Sequence, residues 1–240
     1  CGMIYCMLYS FFMSLFFNAE DGFYSLTTAG IIAFAVIAVL FLVLAAFITG
    51  SASKEKKKLF STKQLVFSAV MLALGFAASY VQIIKMPWGG SVTLFSMLFI
   101  TMIGYWYGPK IGISCAFAYG IMQFLQGGGT YILSPMQACL DYFFAFAALG
   151  VSGFFYKKKN GLVIGYIVAI LARGLFHTIG GYIYWMDYMP DNFPSSLAIV
   201  YPILYNYAYI LLEGVVTIIV IMLPPVKKAF AYAKRIATEQ

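Results

Sequence analysis

Long apolar runs separated by short polar or charged stretches dominate the chain. A hydrocarbon core about 30 Å thick is crossed by roughly 20 mostly apolar residues in helical conformation. Eight stretches approach that length, at residues 1–18, 28–50, 64–84, 92–107, 111–126, 135–156, 161–186 and 197–224. The pattern therefore predicts an all-α integral membrane protein.

The strongest internal boundary is the Ser- and Lys-rich segment 51–63. It separates two plain apolar spans, within residues 1–50, from six spans that carry polar residues. We therefore predict a six-helix transmembrane bundle for substrate binding in residues 61–226, preceded by two extra N-terminal transmembrane helices that act as an anchor. Residues 51–63 would form a basic cytoplasmic linker, and residues 227–240 a basic cytoplasmic tail.

Composition and charge support insertion in a membrane. The chain is 63% hydrophobic and 10% charged, whereas about a quarter of the residues of a soluble domain are charged. The positive charge lies in short clusters between apolar stretches, at Lys54–Lys63, Lys157–Lys159 and Lys227–Arg235. All three clusters fall on one side of the predicted topology, so the positive-inside rule predicts a multi-pass protein of the cell membrane with both termini in the cytoplasm. We expect no nucleic-acid partner.

Polar and ionisable side chains inside the apolar stretches are the best clue to function. Such groups are costly in hydrocarbon, so they normally face a protein interior and mark a ligand or ion site. They are concentrated in the C-terminal half, at Tyr131, Asp141, Arg173, His177, Trp185, Tyr201, Asn206 and Glu213.

The predicted direction of three spans brings most of these groups to one depth. Span 135–156 enters from outside, so Asp141 lies within two turns of the outer surface. Span 161–186 leaves toward the outside, and 197–224 enters again with Asn206 near its outer end. A carboxylate and aromatic rings at one depth suit a small, planar, cationic or partly aromatic ligand, which predicts a pocket near the outer face.

Simpler explanations exist for single residues. Tyr and Trp near a membrane interface are commonly belt residues. His177 is also compatible with a hydrogen bond to a neighbouring helix, and Arg173 with a structural ion pair to Asp141 or Glu213.

A stripe of small residues lies on span 64–84, at Ala69, Ala73 and Ala77. Residues four apart share a helix face, and small residues let helices approach closely. The stripe fits either packing inside the bundle or a docking face for another membrane subunit.

Several catalytic signatures are missing from the sequence. It has no G-x-x-x-x-G-K-[ST] phosphate loop, which argues against ATP hydrolysis by that route. It has one His, no H-E-x-x-H and no Cys cluster, which argues against a metalloenzyme. We predict a binding protein rather than an enzyme, with no metal and no cofactor.

In residues 61–226 the order and separation of these groups resemble the thiamine-specific S component, the substrate-binding membrane subunit, of energy-coupling factor (ECF) transporters. The matching pieces are Pro87-Trp88, Y-x-L-S-P-x-Q from Tyr131 to Gln137, Asp141-Tyr142, R-x-x-x-H from Arg173 to His177, Trp185, and Tyr201 with Asn206. Three positions depart from the family pattern, which has Glu at Asp141, Lys at Arg173 and a second Trp shortly after Trp185.

The resemblance implies a six-helix bundle that binds thiamine at high affinity near the outer face and does not transport it alone. The bundle would dock through small residues of its first helix, here Ala69, Ala73 and Ala77, onto a transmembrane coupling subunit that carries two cytoplasmic ATPases. The thiamine contacts would be Trp88, Tyr131, Asp141, Tyr142, Arg173, His177, Trp185, Tyr201 and Asn206.

Two other functions remain open from the residues. In a stand-alone proton-coupled secondary transporter for thiamine or a related small cation, Asp141, His177 and Glu213 would relay protons. An intramembrane enzyme is weaker, because no nucleophile and base pair is evident.

Overall fold

The part of the chain that the structure describes is mostly helical, as predicted. The computed structural model describes residues 10–11, 13–20, 22–37, 60–87 and 89–239. The elements in chain order are β1 (Phe17–Glu20), β2 (Phe23–Leu26), α1 (Thr28–Ile37), α2 (Thr62–Tyr80), β3 (Gln82–Lys85), β4 (Ser91–Thr93), α3 (Ser96–Tyr107), α4 (Pro109–Gln126), α5 (Pro135–Phe155), α6 (Gly161–Tyr184), α7 (Tyr201–Met222) and α8 (Pro224–Thr238).

Among the residues that the structure describes, four helices are long and apolar enough to cross a membrane. They are α2, α5, α6, and α7 together with the 3-10 turn that precedes it from Ser195. The predicted span 92–107 is divided between β4 and α3, whose 12 residues extend about 18 Å at the usual helical rise. Helix α4 lies where span 111–126 was predicted, but its 18 residues include Lys110 and two glutamines.

A β-hairpin begins in the last two residues of the first predicted span, 1–18, so the described part of the chain is mostly helical rather than all-α. Strand β1 begins at Phe17 and pairs antiparallel with β2, with Glu20 opposite Phe23. Gly22, in the turn, has φ +87°, a value that glycine adopts without strain. The Asp21-Gly22 pair in the sequence is a typical hairpin-turn signal.

A second hairpin ends the predicted span 64–84 early. Helix α2 stops at Tyr80, and β3 and β4 then pair antiparallel. Gly89 and Gly90, between the strands, have φ of +93° and +81°. The chain therefore turns back over the end of the bundle once α2 has crossed it.

Close helix contacts in the bundle depend on glycine. A Cβ on Gly112 of α4 would lie 2.6 Å from the Cα of Gly104 in α3, and one on Gly150 of α5 would lie 2.4 Å from the Cα of Ile113 in α4. Real Cβ atoms do not approach that closely, so α3, α4 and α5 meet backbone to backbone. This packing holds the short helix α3 at the centre of the bundle.

Helix α8 closes one end of the bundle. The Lys234 Nζ donates to the Tyr156 carbonyl at 2.8 Å, and the Tyr107 hydroxyl donates to the Ala237 carbonyl at 3.3 Å. The Lys63 Nζ, at the start of α2, donates to the Glu239 carbonyl. These contacts bring basic residues from two predicted cytoplasmic segments to the same end.

Candidate ligand-binding site

A cavity of about 720 Å³ lies among α5, α6, α7, the β3–β4 hairpin and the loop before α5. Its volume is typical of small-molecule sites, roughly 300–1,000 Å³. The predicted site residues that line it are Tyr131, Asp141, Tyr142, Arg173, His177, Trp185, Tyr201 and Asn206. The ninth, Trp88, lies outside the described residues.

Asp141 is the acidic group of the cavity lining. Its Oδ2 accepts hydrogen bonds from Gln137 Nε2 at 2.8 Å and Trp185 Nε1 at 3.0 Å, and its Oδ1 lies 3.4 Å from His177 Nδ1. It belongs to a π turn of α5, Cys139–Phe144, a distortion found frequently at functional sites. Three polar partners therefore fix the carboxylate in place.

His177 connects Asp141 to Arg173. The Arg173 Nε donates to His177 Nε2 at 3.3 Å. Since a guanidinium has no acceptor, Nε2 must be the unprotonated ring nitrogen, and the ring proton then sits on Nδ1 facing Asp141. The result is a directed chain of donors ending on the carboxylate.

The structural ion pair considered for Arg173 does not form within the described residues, where neither Asp141 nor Glu213 lies within 4.0 Å of its nitrogens. The guanidinium instead lies 4.4 Å from the centre of the Phe146 ring, a favourable cation–π distance. Arg173 is therefore held over an aromatic face where it lines the cavity.

Aromatic rings form one wall of the cavity. The Tyr131 and Trp185 rings stack, with centres 5.6 Å apart and planes 20° apart. Tyr188 lies 5.3 Å from Trp185. Burial, together with a hydrogen bond to Tyr188, raises the pKa of Tyr131 to about 12, so the Tyr131 ring carries no charge at physiological pH.

Sequence reasoning assigned no ligand contact to several lining residues. Tyr205 and Tyr209 continue the four-residue spacing of Tyr201 along α7, which was a usable signal. Gln137 had a weaker signal, its position four residues before Asp141. The remaining unassigned polar or aromatic lining residues include Ser79, Lys85, Gln123, Gln126 and Tyr188.

Glu213 belongs to the packing of the bundle and does not line the cavity. The residue is 3% exposed, and its carboxylate accepts hydrogen bonds from the Thr93 amide at 2.7 Å, the Thr93 hydroxyl at 2.8 Å and the Met97 amide at 3.4 Å. A carboxylate from α7 thus satisfies one amide at the end of β4 and one in the first turn of α3, where unpaired donors are costly to bury.

Replacing Glu213 with Leu is expected to destabilise the protein by about 2–4 kcal/mol, because two amides and a hydroxyl lose their acceptor in a dry environment. Thermal unfolding in detergent measures the loss, and Glu213→Gln, which keeps one acceptor oxygen, should lose less. An unchanged unfolding temperature for Glu213→Leu combined with lost uptake would place this residue in proton transfer instead.

The small-residue stripe faces away from the bundle. Ala69, Ala73 and Ala77 are exposed, whereas the buried residues of α2 are Ser68, Met71, Gly75, Ala78 and Ser79. This arrangement is inconsistent with packing of the stripe inside the bundle.

Comparison with known proteins places the chain in a family context. A family model described as "Thiamine transporter protein" matches residues 65–232. The curated thiamine transporter ThiT of Bacillus subtilis (strain 168) is 29% identical over 175 residues, which cover 67% of this chain and 88% of that protein. ThiT of Lacticaseibacillus paracasei is 29% identical over 120 residues, covering 44% of this chain and 58% of that protein.

A solved structure supports the fold. The structure of ThiT from Listeria monocytogenes matches with a TM-score of 0.55 and 23% sequence identity. The match covers 70% of this chain and 96% of that one.

Proposed function

The chain belongs to the family of thiamine transporter proteins, and from this premise we propose that it captures thiamine at high affinity in the cavity bounded by Asp141 and the aromatic wall. The family is one of transporters and not of enzymes, as the sequence predicts. The protein is a multi-pass membrane protein, and we place the cavity at the outer face.

The chemistry of the cavity carries this proposal. Thiamine combines a permanently cationic thiazolium ring with a neutral aminopyrimidine. Asp141 supplies negative charge beside the stacked rings of Tyr131 and Trp185, and a cation is stabilised both by a carboxylate and by an aromatic face. The guanidinium of Arg173 suits the pyrimidine nitrogens and the hydroxyl group. The Asn206 amide already donates to the His177 and Pro202 carbonyls and accepts from the Tyr209 hydroxyl, so Asn206 would shape the cavity wall.

We place the six helices α2 to α7 of the substrate-binding domain 61–226 within the membrane, where α2, α5, α6 and α7 cross it, with two further spans in residues 1–50. The cytoplasmic end would be the one closed by α8 and tail 227–240. Its basic residues support this orientation, since Lys63 and Lys234 lie together there and positive charge favours the cytoplasmic side.

Transport would require partners, as in an S component of an ECF transporter. We propose that Ala69, Ala73 and Ala77 dock on a transmembrane coupling subunit associated with two cytoplasmic ATPases. The exposure of this stripe supports a contact with another membrane helix, because small residues give the close approach on which helix association in lipid depends. The sequence also lacks a phosphate loop of its own.

The alternative of a self-sufficient proton-coupled carrier has less support. Its relay needs Glu213 to communicate with Asp141 and His177. Glu213 instead accepts hydrogen bonds from Thr93 and Met97.

Titration of the purified full-length chain with thiamine tests the proposed function. We expect binding of one thiamine per chain, measured by calorimetry, and quenching of tryptophan fluorescence because Trp185 lines the cavity. Binding of a different vitamin with no response to micromolar thiamine would reject the substrate while leaving the family assignment intact.

A further inference from the structure

We infer that the N-terminal β1–β2 hairpin is part of the ligand site, and that Phe23 is a positioning residue that holds Tyr131 against Trp185. The inference rests on the proposed function for the identity of the ligand. It assigns part of residues 1–50 a role beyond the anchor that the sequence predicts.

Three rings form a continuous stack from the hairpin to the cavity. The Phe23 and Tyr131 ring centres are 4.3 Å apart with planes at 23°. Tyr131 in turn stacks on Trp185 at 5.6 Å and 20°, and the indole Nε1 of Trp185 donates to Asp141 at 3.0 Å. Phe23 therefore lies at one end of this row of rings. Trp185 lies at the other end and orients the Asp141 carboxylate.

Backbone pairing fixes the same loop to the hairpin. The Tyr24 amide donates to the Ile132 carbonyl at 2.7 Å, and the Ile132 amide donates to the Tyr24 carbonyl at 2.8 Å. A Cβ on Gly129 would lie 2.8 Å from Leu26 Cδ1, so β2 lies directly against the loop. Loops without such pairing are typically more mobile than the helices that they connect.

The hairpin is itself attached to the bundle. Phe34 of α1 lies 4.7 Å from the Phe124 ring and 6.0 Å from the Phe143 ring, with ring planes 10° apart in the second pair. Phe17 and Leu26 pack against the buried cluster that contains Phe124. Because the family model begins at residue 65, the hairpin and α1 lie outside the region that the family model matches.

Removing Phe23 takes away a ring that stacks on Tyr131. We expect Phe23→Ala to weaken thiamine binding roughly threefold to tenfold, the size of one lost aromatic contact, mainly through faster dissociation. Phe23→Tyr keeps the ring and should restore affinity. Phe11→Ala, the same substitution at an exposed position of the N-terminal segment, should leave affinity unchanged.

A double-mutant cycle distinguishes positioning from general destabilisation. In the full-length Tyr131→Ala variant, a further Phe23→Ala change should have little additional effect on affinity, because its action passes through Tyr131. Two independent, additive losses, or no loss for Phe23→Ala in a wild-type chain that binds thiamine, would overturn the inference and leave the proposed function standing.

Hydrogen exchange without ligand tests the inference separately from the proposed function. Phe23→Ala should speed exchange of the Ile132 amide and its loop, while Phe11→Ala should not. If the wild-type chain fails to bind thiamine, the proposed function is rejected, and the exchange result alone decides the coupling. Unchanged exchange of the Ile132 amide in Phe23→Ala would reject the inference that the hairpin holds the loop in place.

Discussion

Asp141→Asn is expected to lower thiamine affinity roughly tenfold to a hundredfold, because a charge-assisted contact in a site shielded from water contributes about 1.5–3 kcal/mol. The side chain is 12% exposed, so solvent screens it little. Asn keeps one oxygen that can accept from Trp185 or Gln137, which limits rearrangement of the cavity. Calorimetry with thiamine measures the loss.

The comparison ligand for Asp141→Asn is an uncharged analogue with the same two rings, whose affinity should fall much less. Asp187→Asn serves as the matched control, since Asp187 is an exposed acid in the turn after α6 and does not line the cavity. Equal losses for both ligands would mean that Asp141 orients its neighbours and does not respond to ligand charge.

Ala73→Trp is expected to abolish ATP-dependent uptake by the assembled transporter while leaving thiamine affinity nearly unchanged. A bulky ring in the middle of the exposed stripe prevents close approach of a partner helix. The side chain faces away from the bundle, so overpacking of the core is not expected. Uptake into vesicles that contain all subunits is measured beside affinity in detergent.

Leu211→Trp is the control for this experiment. Leu211 is 41% exposed on α7 and lies eleven residues from the end of its helix at Met222, as Ala73 lies eleven residues from the start of α2 at Thr62. It should leave uptake intact. Uptake that survives Ala73→Trp, or that falls in parallel with affinity, would reject the docking role of the stripe.

The helices were predictable because a long apolar run in a membrane protein has few other stable conformations. The two hairpins were not, since their strands have only three or four residues and lie at the ends of apolar runs or in the short gaps between them. Phe17, for example, continues the apolar run 1–18 without a break in hydrophobicity. The turn glycines were the available signal, and Gly22 after Asp21 was the clearest of them.

The grouping of Asp141, His177 and Trp185 around one cavity could be predicted from helix direction and four-residue spacing. Their hydrogen bonds could not, because these depend on the π turn of α5 and on the distance between α5 and α6. The contact of Phe23 with Tyr131 was even less predictable from the sequence. It joins residues separated by more than a hundred positions through a hairpin that the apolar pattern did not indicate.

The division between capture and transport is the central claim, and reconstitution tests it most directly. Labelled thiamine is offered to vesicles that contain the full-length chain alone, and to vesicles that also contain a coupling subunit and ATPases with enclosed ATP. We predict bound but not accumulated thiamine in the first case, and accumulation in the second. Accumulation by the chain alone, driven by a proton gradient, would contradict the account and establish a self-sufficient carrier.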